Sequence, residues 1–156
     1  MKDIKKYYWL EQFDCFSVSG KDARKFLNGI TTSNILNSEN KVIKTCWLTP
    51  NGVLKSLIEI IFFERNLHVI ILSGNTHEIN DYFNKIIFPA DDVLLGEPFL
   101  INRIQEIDES SSWRNYQPIF FKTEDKEFEI LKNKLNLLNS NDLKLWKVNQ
   151  AIPSLD

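Results

Sequence analysis

Cysteine is scarce in this chain. Cys15 and Cys46 are the only two. With no His or Cys close to either in sequence they make a poor metal site, and nothing about them points to an oxidising compartment. A dominant charge is missing as well. The formal net charge is −2, and the basic residues are scattered apart from short clusters at Lys5–Lys6 and Lys132–Lys134. A nucleic-acid-binding domain needs a concentrated basic face, so direct nucleic-acid binding is not expected. Long hydrophobic runs are absent too. The run Ile60–Phe63 is far short of the roughly 20 residues that span a bilayer. The N-terminal MKDIKKYYWLEQFD is broken by charges and lacks the apolar stretch of a signal peptide. The expectation is a cytoplasmic chain with no membrane contact.

The phosphate-binding signatures are also missing. There is no GxGxxG, and no GxxxxGK followed by Ser or Thr. Gly20-Lys21 ends a strand without the Gly-rich loop that would cradle a phosphate. The two histidines, His68 and His77, sit in different predicted elements, and their spacing supports no Ser-His-Asp arrangement. No internal repeat or low-complexity segment is present. What remains is a chain of 156 residues with 43% hydrophobic and 12% aromatic content. That is enough for an ordinary core in one domain or two small ones.

The pattern along the chain is that of an α+β protein. Tyr7, Tyr8 and Trp9 form an aromatic cluster expected to pack over a sheet or pair as a strand edge. Phe13–Ser19 alternates as a short half-buried strand, with Phe13, Cys15 or Phe16, and Val18 inward. Gly20 ends it. Ser19 or Asp22 can cap a helix whose Ala23, Phe26, Leu27 and Ile30 fall on one face, with Gly29 a C-terminal break. Val42–Leu48, Val53–Phe63 and Leu67–Leu72 read as a three-strand antiparallel meander. Its turns are Thr49-Pro50-Asn51-Gly52 and Glu64-Arg65-Asn66. Asn75 or Thr76 then caps a second helix with Ile79, Tyr82, Phe83, Ile86 and Ile87 at helical spacing, stopped by Pro89. Asp91–Leu95 is a last short strand.

The order β-α-β-β-β-α-β is a ferredoxin-like split βαβ layer with one extra strand, an antiparallel sheet with helices on one face. Beyond it, 99–107 and 117–122 read as strands around a polar stretch at Asp108–Asn115. Lys126–Leu138 reads as a helix, and Ser140 or Asn141 caps a last helix from Asp142 to about Ala151, ended by Pro153. The expected division is 1–98 as the ferredoxin-like domain and 99–156 as a partial second α+β layer.

No catalytic constellation follows from these residues. His68, inside an apolar strand, reads as a satisfied structural histidine and His77 as a solvated one. Asp91-Asp92 and Asp108-Glu109 read as solvated loops. Trp9, Trp47, Trp113 and Trp146 read as packing rather than a stacking box. Neither cysteine reads as reactive, since both fall in predicted strands as small core hydrophobes.

Four segments in combination do carry a resemblance. Val18-Ser-Gly-Lys-Asp-Ala, Phe26-Leu-Asn-Gly29 and Thr32-Ser-Asn-Ile35 resemble the V-x-G-x-D-A, F-L-Q-G and T-x-D-V opening of the YgfZ proteins and glycine cleavage T-proteins. Leu48-Thr-Pro-Asn-Gly52-Val-Leu resembles their glycine turn before a long strand. Tyr82–Val93 resembles their helix-to-strand passage. Leu145–Pro153, LWKVNQAIP, resembles their h-x-R-h-E-A-G-I-P segment. The order matches, and together the segments cover nearly the whole chain but only the N-terminal portion of such a family member.

The resemblance implies a tetrahydrofolate-binding fold, with Asn34, Asn51, Lys55, Lys147 and Asn149 at the cofactor-binding positions, and none of them catalytic. The cofactor it implies is tetrahydrofolate or a folate derivative. T-proteins are tetrahydrofolate-dependent aminomethyltransferases. The YgfZ branch is linked to iron–sulfur enzyme maintenance and tRNA modification, which implies iron–sulfur client proteins as partners. The reactive cysteine of that branch lies in a K-G-C-Y-x-G-Q-E motif expected beyond Asp156, so the chain is expected to be a fragment without that motif and without activity of its own. Several positions depart from the family. Asn34 stands for its Asp, Lys55-Ser56 or their neighbours for its acidic pair, and Lys147, Asn149 and Ala151 for its Arg, Glu and Gly. A carboxylate accepts two hydrogen bonds from the aminopyrimidine edge of a pterin. Asn imitates this in part and Lys reverses the charge, which argues against aminomethyl transfer and favours the YgfZ branch. The competing readings are a degenerate, non-enzymatic interaction module of the same fold and a fragment of a tetrahydrofolate-dependent aminomethyltransferase.

Overall fold

The structure, a computed structural model, describes residues 6–38, 41–107, 117–150 and 152. The polar stretch from Asp108, the acidic pair there, Trp113 and Pro153 lie outside the described residues. The elements run β1 (Tyr7–Ser19), α1 (Ala23–Ile30), β2 (Ile43–Leu48), β3 (Leu54–Phe63), β4 (Asn66–Ser73), α2 (Thr76–Ile86), β5 (Leu94–Leu95), β6 (Phe99–Ile107), β7 (Ile119–Lys122), α3 (Lys126–Lys132) and α4 (Ser140–Asn149). This is an α+β protein. Among the described residues no helix is long and apolar enough to cross a membrane. The chain divides into two compact units, one of residues 14–99 and one of Met1–Phe13 with Leu100–Ile152.

In the unit of residues 14–99 the strand order is β2-β3-β4-β1, with β5 pairing the end of β1. Each of these pairings is antiparallel. The β2–β3–β4 meander is therefore present, and β1 lies between β4 and β5 as a split βαβ order requires. Helices α1 and α2 pack on the same face of these strands. Ala23 and Leu27 of α1 and Ile79 and Phe83 of α2 join Phe16, Val18, Trp47, Ile58, Ile60, Val69 and Ile71 in one buried cluster. Phe83 is at its centre, edge-on to Phe16, Phe26 and Trp47 at 6.0, 5.8 and 5.7 Å between ring centroids. Such edge contacts add to area burial because the ring edge is positive and the face negative.

The opposite face of the strands is not solvent-facing either. Cys15, Glu59 and Ile70 are fully buried on it. Glu59 keeps a cross-strand partner in Lys44, with Nζ 3.9 Å from the carboxylate. A buried charge needs such a partner, since desolvation alone would be prohibitive. This explains why Cys15 and Phe16, consecutive in β1, are both inside.

The turns follow their residues. Pro50 and Asn51 occupy the centre of a turn closed by Gly52 N–H donating to Thr49 O at 2.8 Å, with Gly52 at φ +79. The β3–β4 hairpin is tighter. Phe63 pairs Asn66, so Glu64 and Arg65 alone form the loop, at φ +47 and +69. Two positive φ values in a two-residue hairpin are the type I′ pattern, usually built from Asn and Gly. Gly20, at φ +101, follows β1 in close contact with Asp92, where a Cβ would stand 2.1 Å from the carbonyl oxygen. The contact is reciprocal. Asp92 N–H donates to Asp22 Oδ2 at 2.9 Å, and Lys21 N–H donates to Asp92 Oδ2 at 3.2 Å.

Several expectations are corrected. Asp22 stands at the N-cap of α1, but its side chain makes no capping bond because it is taken by Asp92. Gly29 is inside α1 rather than ending it. Strand β5 has two residues, not five. Strand β1 begins at Tyr7, with Trp9 buried. Helix α3 stops at Lys132 instead of reaching Leu138. The backbone after it is claimed elsewhere: Tyr8 N–H donates to Asn136 O and Leu138 N–H to Tyr8 O. Asn139, not Ser140 or Asn141, caps α4, accepting from Asn141 N–H and Asp142 N–H. Cys46 is only partly buried, unlike Cys15. His68, by contrast, is the structural histidine expected: it is buried, edge-on to Phe63 and Phe99, with Nδ1 3.3 Å from Asn66 O.

In the other unit β6 borders β1 and pairs β7 antiparallel. Its strands carry buried polar groups, namely Asn102, Arg103 and Gln105.

Candidate functional site

The loop after α1 shows what its signature residues do. Asn28 Oδ1 accepts from Ile35 N–H at 2.8 Å. Arg24 Nη1 donates to Ile35 O and Ser38 O. Thr32 Oγ1 accepts from Cys46 N–H, and Ser33 Oγ donates to Lys44 O. Asn34 Oδ1 accepts from Leu36 N–H at 3.0 Å, an Asx turn. Asn28, Thr32, Ser33 and Asn34 are therefore engaged in shaping the loop and tying it to β2. Local side-chain to backbone bonds of this kind replace the ladder the loop cannot form.

The other residues singled out by the resemblance are placed as follows. Asn51 is exposed in the Pro50-Asn51 turn. Lys55, exposed at the start of β3, lies 3.6 Å from Glu78 of α2. These two and Asn34 belong to the unit of residues 14–99, whereas Lys147 and Asn149 lie on α4 in the other unit. Asn149 is exposed, and among the described residues neither its side chain nor that of Asn51 has a hydrogen-bond partner.

Lys147 is at the centre of an aromatic and polar cluster. Its Nζ pairs with Glu11 Oε2 and lies 4.8 Å from the centroid of the Trp9 ring. The same Glu11 oxygen accepts from Trp9 Nε1 at 2.7 Å. The Arg103 guanidinium stands 4.4 Å from the Trp9 ring, and its Nη2 donates to Gln105 Oε1 at 2.5 Å. Trp146 meets Trp9 edge-on at 5.5 Å. A tryptophan face attracts cations through its quadrupole, more strongly when water is excluded, and Trp9 is buried. Trp146 Nε1 is itself buried without a hydrogen-bond partner among the described residues.

Sequence reasoning missed Glu11, Arg103 and Gln105. FLINRIQEI reads only as a strand, and no spacing rule links Glu11 to Lys147 across the chain. The one available signal was Lys147 itself, marked by the resemblance.

A second feature is a groove of about 620 Å³ beside α1 and the segment after α2, lined by Phe26, Ile30, Ile87, Phe88, Lys25 and Asp91 among others. The volume is in the range of small-molecule sites. Its walls carry two lysines, Lys25 and Lys85, and two aspartates, Asp22 and Asp91, so charge selects no ligand. Among the described residues no group of three or more His, Cys, Asp or Glu side chains is placed to hold a metal ion.

No family model and no curated protein sequence matches the chain. Among solved structures it is similar to a glycine cleavage system aminomethyltransferase T from Bartonella henselae, with a TM-score of 0.53 and 10% sequence identity. The match covers 64% of this chain and 28% of that one. At this identity the likeness concerns the fold: the α+β arrangement of antiparallel strands and helices is one that an aminomethyltransferase T also contains.

Proposed function

We propose that the chain is a YgfZ-like tetrahydrofolate-binding domain, with the stretch 1–98 as the folate-binding-type part and 99–156 as a partial second α+β subdomain. The observation that carries this reading is the likeness in fold to an aminomethyltransferase T, joined to four sequence segments in the family's order. The residues proposed to meet the ligand are Asn34, Asn51, Lys55, Lys147 and Asn149. The exposure of Asn51 and Asn149, each without a hydrogen-bond partner among the described residues, supports them as donors and acceptors for a pterin edge. A carboxamide offers one acceptor and two donor hydrogens, which suits a ligand edge presenting both kinds of group. The role proposed with this fold is iron–sulfur enzyme maintenance and tRNA modification, in the cytoplasm, without aminomethyl transfer.

A second reading, an interaction module of the same fold, draws on a specific observation. Three of the five positions have partners within the protein: Asn34 with Leu36, Lys55 with Glu78 and Lys147 with Glu11. Calorimetric titration with folinic acid separates the two. Saturable one-to-one binding that weakens about tenfold or more in Asn149→Ala, the loss of one or two buried hydrogen bonds, is the expected result. No heat at millimolar folinic acid removes the folate reading and leaves the module.

A further inference from the structure

We infer that the groove beside α1 is a self-association surface, in which a second copy of this chain seats its Phe88 over Gly29 and receives the same contact in return across a two-fold axis. The groove lies wholly within the unit of residues 14–99, and the inference is independent of the folate reading.

One wall is a helix with a side chain missing. On α1, Phe26 and Ile30 pack against the buried cluster, Phe26 edge-on to Phe83. Gly29, between them in sequence, is exposed, and no atom lies within 4 Å of the place its Cβ would take. The helix therefore presents bare backbone bordered by apolar side chains. The other wall is a turn that holds an aromatic ring outward. Helix α2 closes with Ile87 N–H donating to Phe83 O at 3.2 Å, and the next turn closes with Asp91 N–H donating to Phe88 O at 2.9 Å. Pro89 takes the second position of that turn, where its fixed φ suits the geometry, and it restricts the backbone of Phe88 before it. Phe88 is thus held on both sides at its backbone while its ring is 72% exposed. A single exposed apolar residue is ordinary. An aromatic ring fixed in advance on the wall of an apolar groove is different, because little freedom remains to be lost when it is covered.

The charges decide the occupant. Lys25, Lys85, Asp22 and Asp91 line the groove. Asp22 accepts from Asp92 N–H, whereas among the described residues the side chains of Lys25, Lys85 and Asp91 have no ion pair or hydrogen bond. An occupant of one sign pairs with two of the four and sets the other two against like charge. A second copy brings two charges of each sign, and across a two-fold axis every lysine–aspartate contact is made twice. Phe88 and Gly29 behave in the same way. Projection and hollow lie side by side on one surface, so two copies satisfy each other and leave no open end to propagate a filament. The contact is at the small end of specific interfaces, and the expected dimer is reversible and weaker than about 1 µM.

Sedimentation equilibrium on the full chain, from about 10 µM to 1 mM so as to bracket such affinities, tests this. The parent should pass from monomer to dimer within that range. Phe88→Ser and Gly29→Gln should each weaken the dimer about tenfold or more, the scale of one central interface contact. Both substitutions fall at exposed positions, and a urea midpoint no lower than the parent's shows that the fold is kept. The charges are tested by a swap that holds whichever lysine faces whichever aspartate. The double variant Lys25→Asp with Lys85→Asp makes the groove acidic, and Asp91→Lys makes it basic. Each should be monomeric alone, and a one-to-one mixture should associate, more weakly as salt is raised. A dimer that survives both Phe88→Ser and Gly29→Gln is built on another surface and overturns the inference. A parent that stays monomeric throughout the range leaves the groove to some other occupant and overturns it too, as does a mixture of the two charge variants that fails to associate.

Discussion

Helix α2 seals its strands with Ile79 and Phe83, both buried and interleaved with Phe16, Ile58 and Val69. Helix α4 contributes no buried residue, and its last turn is held by Lys147 against Glu11 and Trp9. Apolar packing is non-directional and survives salt, whereas ion pairs at partly exposed positions are screened and individually modest. The same fold class thus contains one helix fixed by fully buried side chains and one whose half-buried face, Leu143, Trp146, Lys147 and Gln150, mixes apolar and directed contacts. The first kind serves as scaffold.

The sharpest way to break this contrast is to truncate both helices. Phe83→Ala removes a fully buried ring that touches Phe16, Phe26 and Trp47 and should cost about 3–5 kcal/mol of unfolding free energy. Leu145→Ala and Val148→Ala on α4 should each stay within about 0.5 kcal/mol. Urea denaturation of the three variants measures this. Equal losses would mean that α4 is packed as α2 is, and the distinction would fall.

The next effect is at Gly20. Its φ of +101 is unfavourable for any L side chain, and a Cβ would lie 2.1 Å from Asp92 O. Gly20→Ala should therefore cost about 2–3 kcal/mol from backbone strain plus displacement of the Asp22–Asp92 contact. Gly29→Ala is the control. No atom lies within 4 Å of its added Cβ and its φ is not positive, so a helix-interior gain of about 0.5–1 kcal/mol over glycine is expected. If both substitutions destabilise alike, the fit of strand end to Asp92 is not what Gly20 supplies.

The buried face around Cys15 makes a pH prediction. Burial, with the Asp14 carboxylate adding to it, pushes the Cys15 thiol up from 9.0 to about 12. The native state thus holds its proton where the unfolded chain has lost it. The stability that follows is complete below pH 9 and declines as pH rises from 9 towards 12, at up to about 1.4 kcal/mol per pH unit. The slope should flatten in Cys15→Ala relative to the parent, followed by denaturation midpoints between pH 8.5 and 10.5. At pH 8 a thiol reagent should label Cys46, which is partly exposed, well before Cys15. Rapid labelling of Cys15 would mean that this face opens readily.

What was legible in the sequence follows the same division. Periodicity alone located α1, α2, β3 and β4 to within a residue or two, because their buried positions repeat at helix or strand spacing and their turns carry Pro, Asn and Gly. Asn75, one of two cap candidates for α2 beside Thr76, is within reach of sequence reading because its bond to Glu78 N–H is local. In the other unit the determining contacts are distant in sequence. Tyr8 with Asn136 and Leu138 ended α3 early, and Lys147 with Glu11 positioned α4. No local pattern encodes either. The candidate residues Asn34 and Lys147 were visible through resemblance, but their engagement by Leu36 and Glu11 was not. A signature residue holding a loop in shape looks the same in sequence as one holding a ligand.

The smallest expected effect is a gain. Glu64 and Arg65 form the β3–β4 loop with both φ values positive, at +47 and +69. This geometry matches the right-handed twist of the flanking strands, which is why two-residue hairpins adopt it, but Asn-Gly meets it with far less strain than Glu-Arg. The strands impose the turn here: Phe63 pairs Asn66, and Leu67 and Val69 must face the helices for the core to close. Register set by buried side chains overrides a poor loop sequence, since a shift of one residue would turn every inward side chain outward. Replacing the pair by Asn-Gly (Glu64→Asn with Arg65→Gly) should then stabilise the protein by about 0.5–1 kcal/mol. Thermal and urea unfolding would read the gain, and hydrogen exchange would show it spread across β3 and β4. A loss in stability would mean that the Glu64 or Arg65 side chain makes a contact worth more than the strain it carries, and that the hairpin is held from its loop as well as from its core.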